Sequence, residues 1–250
     1  DPGSGLVKRA MLLASAAMLV GADLPQPVTT QPAKPALPMA RLPGFAANLA
    51  QQPAIDGPQT WRIISQDDAW RALATARQAD RQQARWDYAR SLIAQERGAE
   101  ALGVLDVMRQ DDPDLAMVDA YRLARGAAMI QLGRFEQASA ELSASSLASN
   151  AEACIWRMRA LSLSGFADQA LQQIRCAAPA FAGPRRKAFA LAAARAGIEG
   201  GRPADALKWL NGVPDRDPAA NLYRGRAELA LGQPADGSPT VELLGRLPAP

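Results

Sequence analysis

The chain of 250 residues contains no histidine at all. That excludes Ser-His-Asp triads, Cys-His dyads and every histidine-bearing metal site. Aromatic residues make up only 5%, too few for the usual core of a β-sandwich, and alanine and glycine take their place, which favours closely packed helices. A marked excess of either charge is absent as well. The formal net charge is +3, and the Lys and Arg residues are interspersed with Asp and Glu rather than blocked. No nucleic-acid partner is therefore expected, despite a pI near 9.1. No apolar run reaches the roughly 20 residues that span a bilayer as a helix. Also missing are a Gly-x-Ser-x-Gly elbow, a Ser-x-x-Lys pair, a phosphate-cradling glycine loop and a dinucleotide fingerprint. The expectation is a protein that is not an enzyme and needs neither cofactor nor metal. Only two cysteines occur, Cys154 and Cys176. Helical phase points their side chains to opposite sides of one hairpin, so two separate buried thiols are the plainer reading, with a bond as the alternative in an oxidising compartment.

What is present is organised in three parts. In residues 1–22, Lys8 and Arg9 precede an apolar run from Ala10 to Val20, followed by Gly21 and Ala22. This reads as a signal-peptide-like segment, with a retained membrane anchor or an ordinary buried helix as alternatives. A chain that starts on Asp1 reads as a piece of a longer protein or one with a misassigned start. Residues 23–62 carry Pro25, Pro27, Pro32, Pro35, Pro38, Pro43, Pro53 and Pro58 without an apolar period. Proline removes backbone donors and holds its predecessor extended, so a largely disordered linker is expected. Residues 63–250 are different.

There, Ala69, Ala101, Ala138, Ala170, Ala206 and Gly237 recur at a step of about 34 residues. A second series, Ala89, Gly126, Ala160, Ala194 and Gly225, precedes the later five by about 12 residues, or about 10 in one case. Ser65 followed by Gln66, Asp67 and Asp68 reads as a helix start. Helical hairpins follow over 80–97 with 99–110, 115–132 with 135–144, 150–164 with 167–177, and 184–199 with 203–210. A last helix over 218–231 ends in a truncated or degenerate repeat. Gly98, Gly133, Gly165 and Gly200-Gly201 mark the turns. Asp111, Asp112 and Asp114 around Pro113 lack the glycine and distal glutamate of a calcium loop and are assigned to capping.

This rhythm resembles the tetratricopeptide repeat family over about residues 65–244. Ala89/Ala101, Gly126/Ala138, Ala160/Ala170, Ala194/Ala206 and Gly225/Gly237 match its paired small positions. Leu105, Leu142, Ile174 and Leu210 match its large apolar residue. Pro113 and Pro218 match its closing proline, where Asn150 stands in another repeat, and Trp156 matches the aromatic early in the first helix. The resemblance implies an all-α solenoid of about five hairpins whose first helices line a concave groove.

On that resemblance Arg90, Ala127, Leu161, Arg195 and Arg226 face the groove, and Trp86, Leu123, Arg157, Leu191 and Leu222 lie one turn earlier. Trp86, Arg90, Arg157, Arg195 and Arg226 are thus the candidate partner-binding residues. Arginine forks and a rigid indole suit a protein or peptide, in particular an acidic one. The same arginines also read as ordinary surface side chains paired with Asp87 or Glu228. The expected role is a protein-interaction scaffold of a bacterial-type cell envelope, periplasmic or secreted, with tethering to the inner membrane as one version. Two alternatives stand beside it: the superhelical part of a larger cell-wall enzyme such as a lytic transglycosylase, and a self-assembling homo-oligomer.

Overall fold

The computed structural model describes residues 44–181 and 186–232. The signal-like segment 1–22, the linker as far as residue 43, and Gly237 lie outside them. Among the described residues the protein is all-helical, with eleven α-helices and no strand. They are α1 (Phe45–Gln51), α2 (Gln66–Thr75), α3 (Gln78–Ala94), α4 (Gly98–Asp111), α5 (Asp119–Gln131), α6 (Phe135–Leu142), α7 (Ala151–Leu163), α8 (Ala167–Ala177), α9 (Lys187–Glu199), α10 (Pro203–Leu210) and α11 (Pro218–Ala230). Short 3-10 turns occupy Pro58–Thr60, Pro113–Met117, Ser145–Leu147 and Ala178–Phe181.

From α2 onward each helix packs most heavily on a neighbour in sequence, as α3 on α4, α5 on α6, α7 on α8 and α9 on α10, whereas α1 lies against α5 and the Pro113–Met117 turn. Odd-numbered helices also touch the next odd one, α3 with α5, α5 with α7, α7 with α9 and α9 with α11. The small-residue series lies in these interfaces. Ala69, Ala89, Ala101, Ala138, Ala160, Ala170, Ala194 and Ala206 are all buried, as is Gly126. A Cβ on Gly126 would stand 2.8 Å from Leu142, closer than carbon atoms approach. On α11 the fully buried small residues are Ala220 and Ala227, while Gly225, the expected one, is only half-buried.

The four hairpins close in the same way. In each, a residue with positive φ ends the first helix, and the next residue donates its amide to a carbonyl five positions back. The pairs are Arg97 to Leu92, Arg134 to Met129, Phe166 to Leu161 and Arg202 to Gly197. This is the Schellman closure, which satisfies carbonyls a helix end leaves unpaired. Glycine occupies the left-handed position at Gly133, Gly165 and Gly201, but Glu96 does so in the first hairpin, with φ 59°. Gly98, expected at that turn, is instead the first residue of α4. A Cβ there would meet the Ala128 carbonyl at 2.7 Å, so the glycine serves the approach of α4 to α5. Gly133→Ala tests the turn alone, because no atom stands within 4 Å of the added carbon. Equilibrium urea unfolding is expected to show a loss of about 1 kcal/mol, the ordinary cost of a left-handed L-residue.

Side-chain caps appear where the sequence offered them. Ser65 Oγ accepts from the Asp68 amide, Asn150 from Ala153 and Asp217 from Ala220. Asp112 does something else. Its carboxylate accepts from the Ala46 amide at 2.8 Å and so caps α1, 66 residues earlier in the chain.

The most consequential correction concerns the Pro-rich stretch. Its last part, residues 44–62, is folded onto the repeats rather than disordered: Ala46, Leu49, Ile55 and Trp61 are buried in the main core. Beyond the short α1 and the 3-10 turn at Pro58–Thr60 the segment is irregular, and its few apolar side chains have no sustained helical period because it is a strap laid over other helices.

The cysteines are the second correction. Cys154 and Cys176 form a disulfide, with Cα atoms 5.8 Å apart. Both lie at the open end of the α7–α8 hairpin, where the first turn of one helix runs beside the last turn of the other. There the distance between chains decides the bond, and the phase of each helix alone does not.

Candidate functional site

The side of α7 and α9 that faces the strap carries a ladder of aromatic rings and charges. Trp61 and Trp156 meet edge to face at 6.3 Å between ring centres, and Trp156 meets Phe189 the same way at 4.8 Å. Arg159 lies over both Trp156 and Phe189, at 5.4 and 5.6 Å, and Arg186 lies over Phe189 at 5.1 Å. Cations over ring faces are held by the ring quadrupole. The two arginines are each tied to a glutamate. Arg186 pairs with Glu152, which is completely buried and also accepts from the Trp61 indole N–H at 2.8 Å. Arg159 makes a two-pronged pair with Glu96, at 3.0 and 2.9 Å, across 63 residues. That pair gives a use to the non-glycine residue in a left-handed turn, since only a side chain at Glu96 can reach back to α7.

Beside this ladder lies a cavity of about 800 Å³. Its apolar lining includes Phe181, Ala190, Trp209, Val213 and Pro214, and Glu96 and Arg186 connect it to the ladder. Lys187 and Lys208 also line it. Both are largely exposed, and each pairs with a partly buried carboxylate, Lys187 with Asp217 at 2.8 Å and Lys208 with Asp205 at 3.2 Å. The lysine ammonium, together with the Ala220 amide, holds the Asp217 carboxyl below its ordinary pKa. An ammonium this open to solvent gains little from one partner and can be approached by a competing carboxylate.

The five residues singled out from the sequence are dispersed rather than gathered. Trp86 is buried in the core, and Arg90 stacks over it at 5.5 Å while pairing with Asp87 and donating to the Thr60 carbonyl at 3.4 Å. Arg157 is turned inward. It donates to the carbonyls of Leu142, Leu147 and Ala148, to Gln173 and to Cys154 Sγ, and burial pushes its pKa down. It closes the carbonyl end of α6, as Arg224 does for α10 through Leu210 and Val213. Arg195 pairs with Glu199 one turn along α9 at 2.9 Å. Arg226 is exposed on α11. Only Trp86 and Arg90 touch one another.

The residues that do come together, Trp61, Glu152, Trp156, Arg159, Arg186 and Phe189 with Lys187 and Lys208 at the cavity, are not among the five expected site residues, and Trp156 is read from the sequence only as the aromatic early in a first helix. Arg159 with Trp156, Arg186 with Phe189 and Lys208 with Asp205 are near in sequence, but the pairs that gather the group, Trp61 with Glu152, Arg159 with Glu96 and Arg186 with Glu152, join distant positions that no local spacing marks. The one visible sign was glutamate at position 152 inside an otherwise apolar stretch of a helix start. Among the described residues, no group of three acidic or cysteine side chains is placed to hold a metal ion, and no helix is long and apolar enough to cross a membrane. Comparison with protein-family models, with curated proteins and with solved structures returned no match.

Proposed function

We propose that the chain is a non-catalytic scaffold of tetratricopeptide-like hairpins that binds a protein or peptide partner in the cavity beside α9 and α10. The observation that carries the reading is that cavity. It has an apolar floor of Phe181, Trp209, Val213 and Pro214, and two largely exposed lysines at its edge. An apolar pocket with a few polar groups at its rim is the usual form of a binding site. Its lysines favour a segment that brings a carboxylate next to an apolar side chain.

The neighbour-to-neighbour packing of α3 to α11 and the repeated hairpin closure support an arrangement in stacked repeats. The Cys154–Cys176 bond supports an oxidising compartment, which suits the envelope location expected from residues 1–22. Arg195 and Arg226 stay in the proposal as outlying contacts for a partner longer than the cavity.

The test is to pan a displayed library of random peptides on the full chain and to measure the enriched peptides by fluorescence anisotropy. Enriched peptides are expected to pair an acidic group with an apolar residue, and to bind the Lys187→Glu/Lys208→Glu variant about tenfold more weakly, a loss of about 1.4 kcal/mol. Failure to enrich any peptide, or equal binding to the variant, would overturn the reading.

A further inference from the structure

The strap over residues 55–64 is held as a peptide ligand is held. Side chains of the repeats address its main chain: Asn150 Nδ2 donates to the Ile55 carbonyl at 2.8 Å, Arg90 to the Thr60 carbonyl, and the Ile64 amide donates to Ser91 Oγ at 3.0 Å. Contacts to backbone groups are indifferent to sequence. Selectivity enters at two buried side chains, Ile55 and Trp61, and the polar part of it at Trp61, whose indole fits against Trp156 and donates to the buried Glu152 carboxylate. Backbone hydrogen bonds for affinity and side-chain pockets for identity are the division of labour in extended-peptide recognition.

The fit is also incomplete. Two buried donors beside the strap have no hydrogen-bond acceptor, Arg90 Nε and Trp156 Nε1. Arg90 is the residue that reaches Thr60, and Trp156 is the ring that meets Trp61. Leaving a buried donor unmade costs about 1–3 kcal/mol. The resident segment therefore satisfies the surface less fully than a segment that brought two further carbonyl oxygens would. Around Trp61 the strap is lightly covered, with Gln59, Arg62 and Ile63 exposed.

We infer that the surface beneath residues 55–64 is a second docking site, for an extended partner segment bearing a tryptophan, and that the chain's own Trp61 holds it shut. This rests on the reading of the protein as a peptide-binding scaffold, but it concerns a different surface from the cavity. The occupant is defined by the resident: an indole N–H for Glu152, and carbonyls spaced to meet Asn150 and Arg90. A partner must displace Trp61 to enter, so its apparent affinity is reduced by the fraction of time the strap is docked.

The experiment uses the full chain and a labelled synthetic peptide with the sequence of residues 55–64, followed by anisotropy. The peptide is expected to bind the Trp61→Ala chain at least about tenfold more tightly than the parent chain. The same peptide with alanine for its tryptophan is expected to bind neither. If Trp61→Ala does not fold by circular dichroism, Trp61→Phe replaces it, keeping a ring while deleting the donor to Glu152. Absence of binding to a folded variant, or equal binding to parent and variant, overturns the inference and leaves the strap a fixed cap. Neither outcome touches the cavity, whose own test is read on Lys187 and Lys208.

Discussion

Changing Arg186 to methionine is expected to lower the unfolding free energy by about 3–5 kcal/mol. Glu152 has no exposed surface and Arg186 is 7% exposed, so the change leaves a carboxylate in the interior without its counter-charge. Among the described residues the uncharged Trp61 N–H is then the hydrogen-bond donor left to it. For a chain of this size the thermal midpoint would fall by roughly 6–20 °C. A double variant separates charge from packing. Glu152→Gln together with Arg186→Met removes both charges while the glutamine oxygen still accepts from Trp61, and is expected to recover most of the loss in urea unfolding. Equal destabilisation of the single and double variants would assign the effect to the lost stacking of Arg186 over Phe189 instead.

The disulfide gives the second large effect. It closes a loop of 22 residues. Cross-linking a loop of that length restricts the unfolded chain by about 3 kcal/mol in the chain-entropy model. Reduction of the parent protein and the Cys154→Ser/Cys176→Ser variant should therefore show the same shift, and reductant should leave the variant unaffected. Arg157 bounds how far the corner opens. Its hydrogen bonds to Leu142, Leu147 and Ala148 keep the carbonyl end of α6 and the following turn in place whether or not the sulfurs are joined. The expected loss is thus one of stability, with helix content kept at room temperature and read by circular dichroism.

The helical rhythm was legible because it is local. Small residues at one face of each helix and glycines at three of the turns announce themselves within a few positions, and α8 and α10 match their expected bounds. The first turn was misplaced because its left-handed residue is Glu96, whose reason for being there is an arginine 63 residues away. The candidate arginines were chosen by helical position, which says where a side chain starts but not whether carbonyls nearby will claim it. Arg157 was claimed in that way, and Trp86 was drawn into the core. The strap was hidden for a different reason. A stretch with only one two-turn helix and a single 3-10 turn has little period to read, and eight prolines ahead of and within it make the whole stretch look alike.

The core is divided in a manner that bears on how the molecule yields under load. Ala190, Ala194, Ala206, Leu210, Val213, Ala220 and Ala227 form a small cluster of their own, apart from the main one that runs from Ala46 to Ala196. Four-carbon side chains are scarce in it, and each alanine buries little area, so the adhesive energy per residue is low at this end. In a protein whose parts touch mainly their neighbours, rupture begins where the seam is weakest and travels one element at a time. Pulled from its two ends, the chain would shed α11 and then α10 while the strap-bound helices still held, a graded spring at one end and a fastened block at the other.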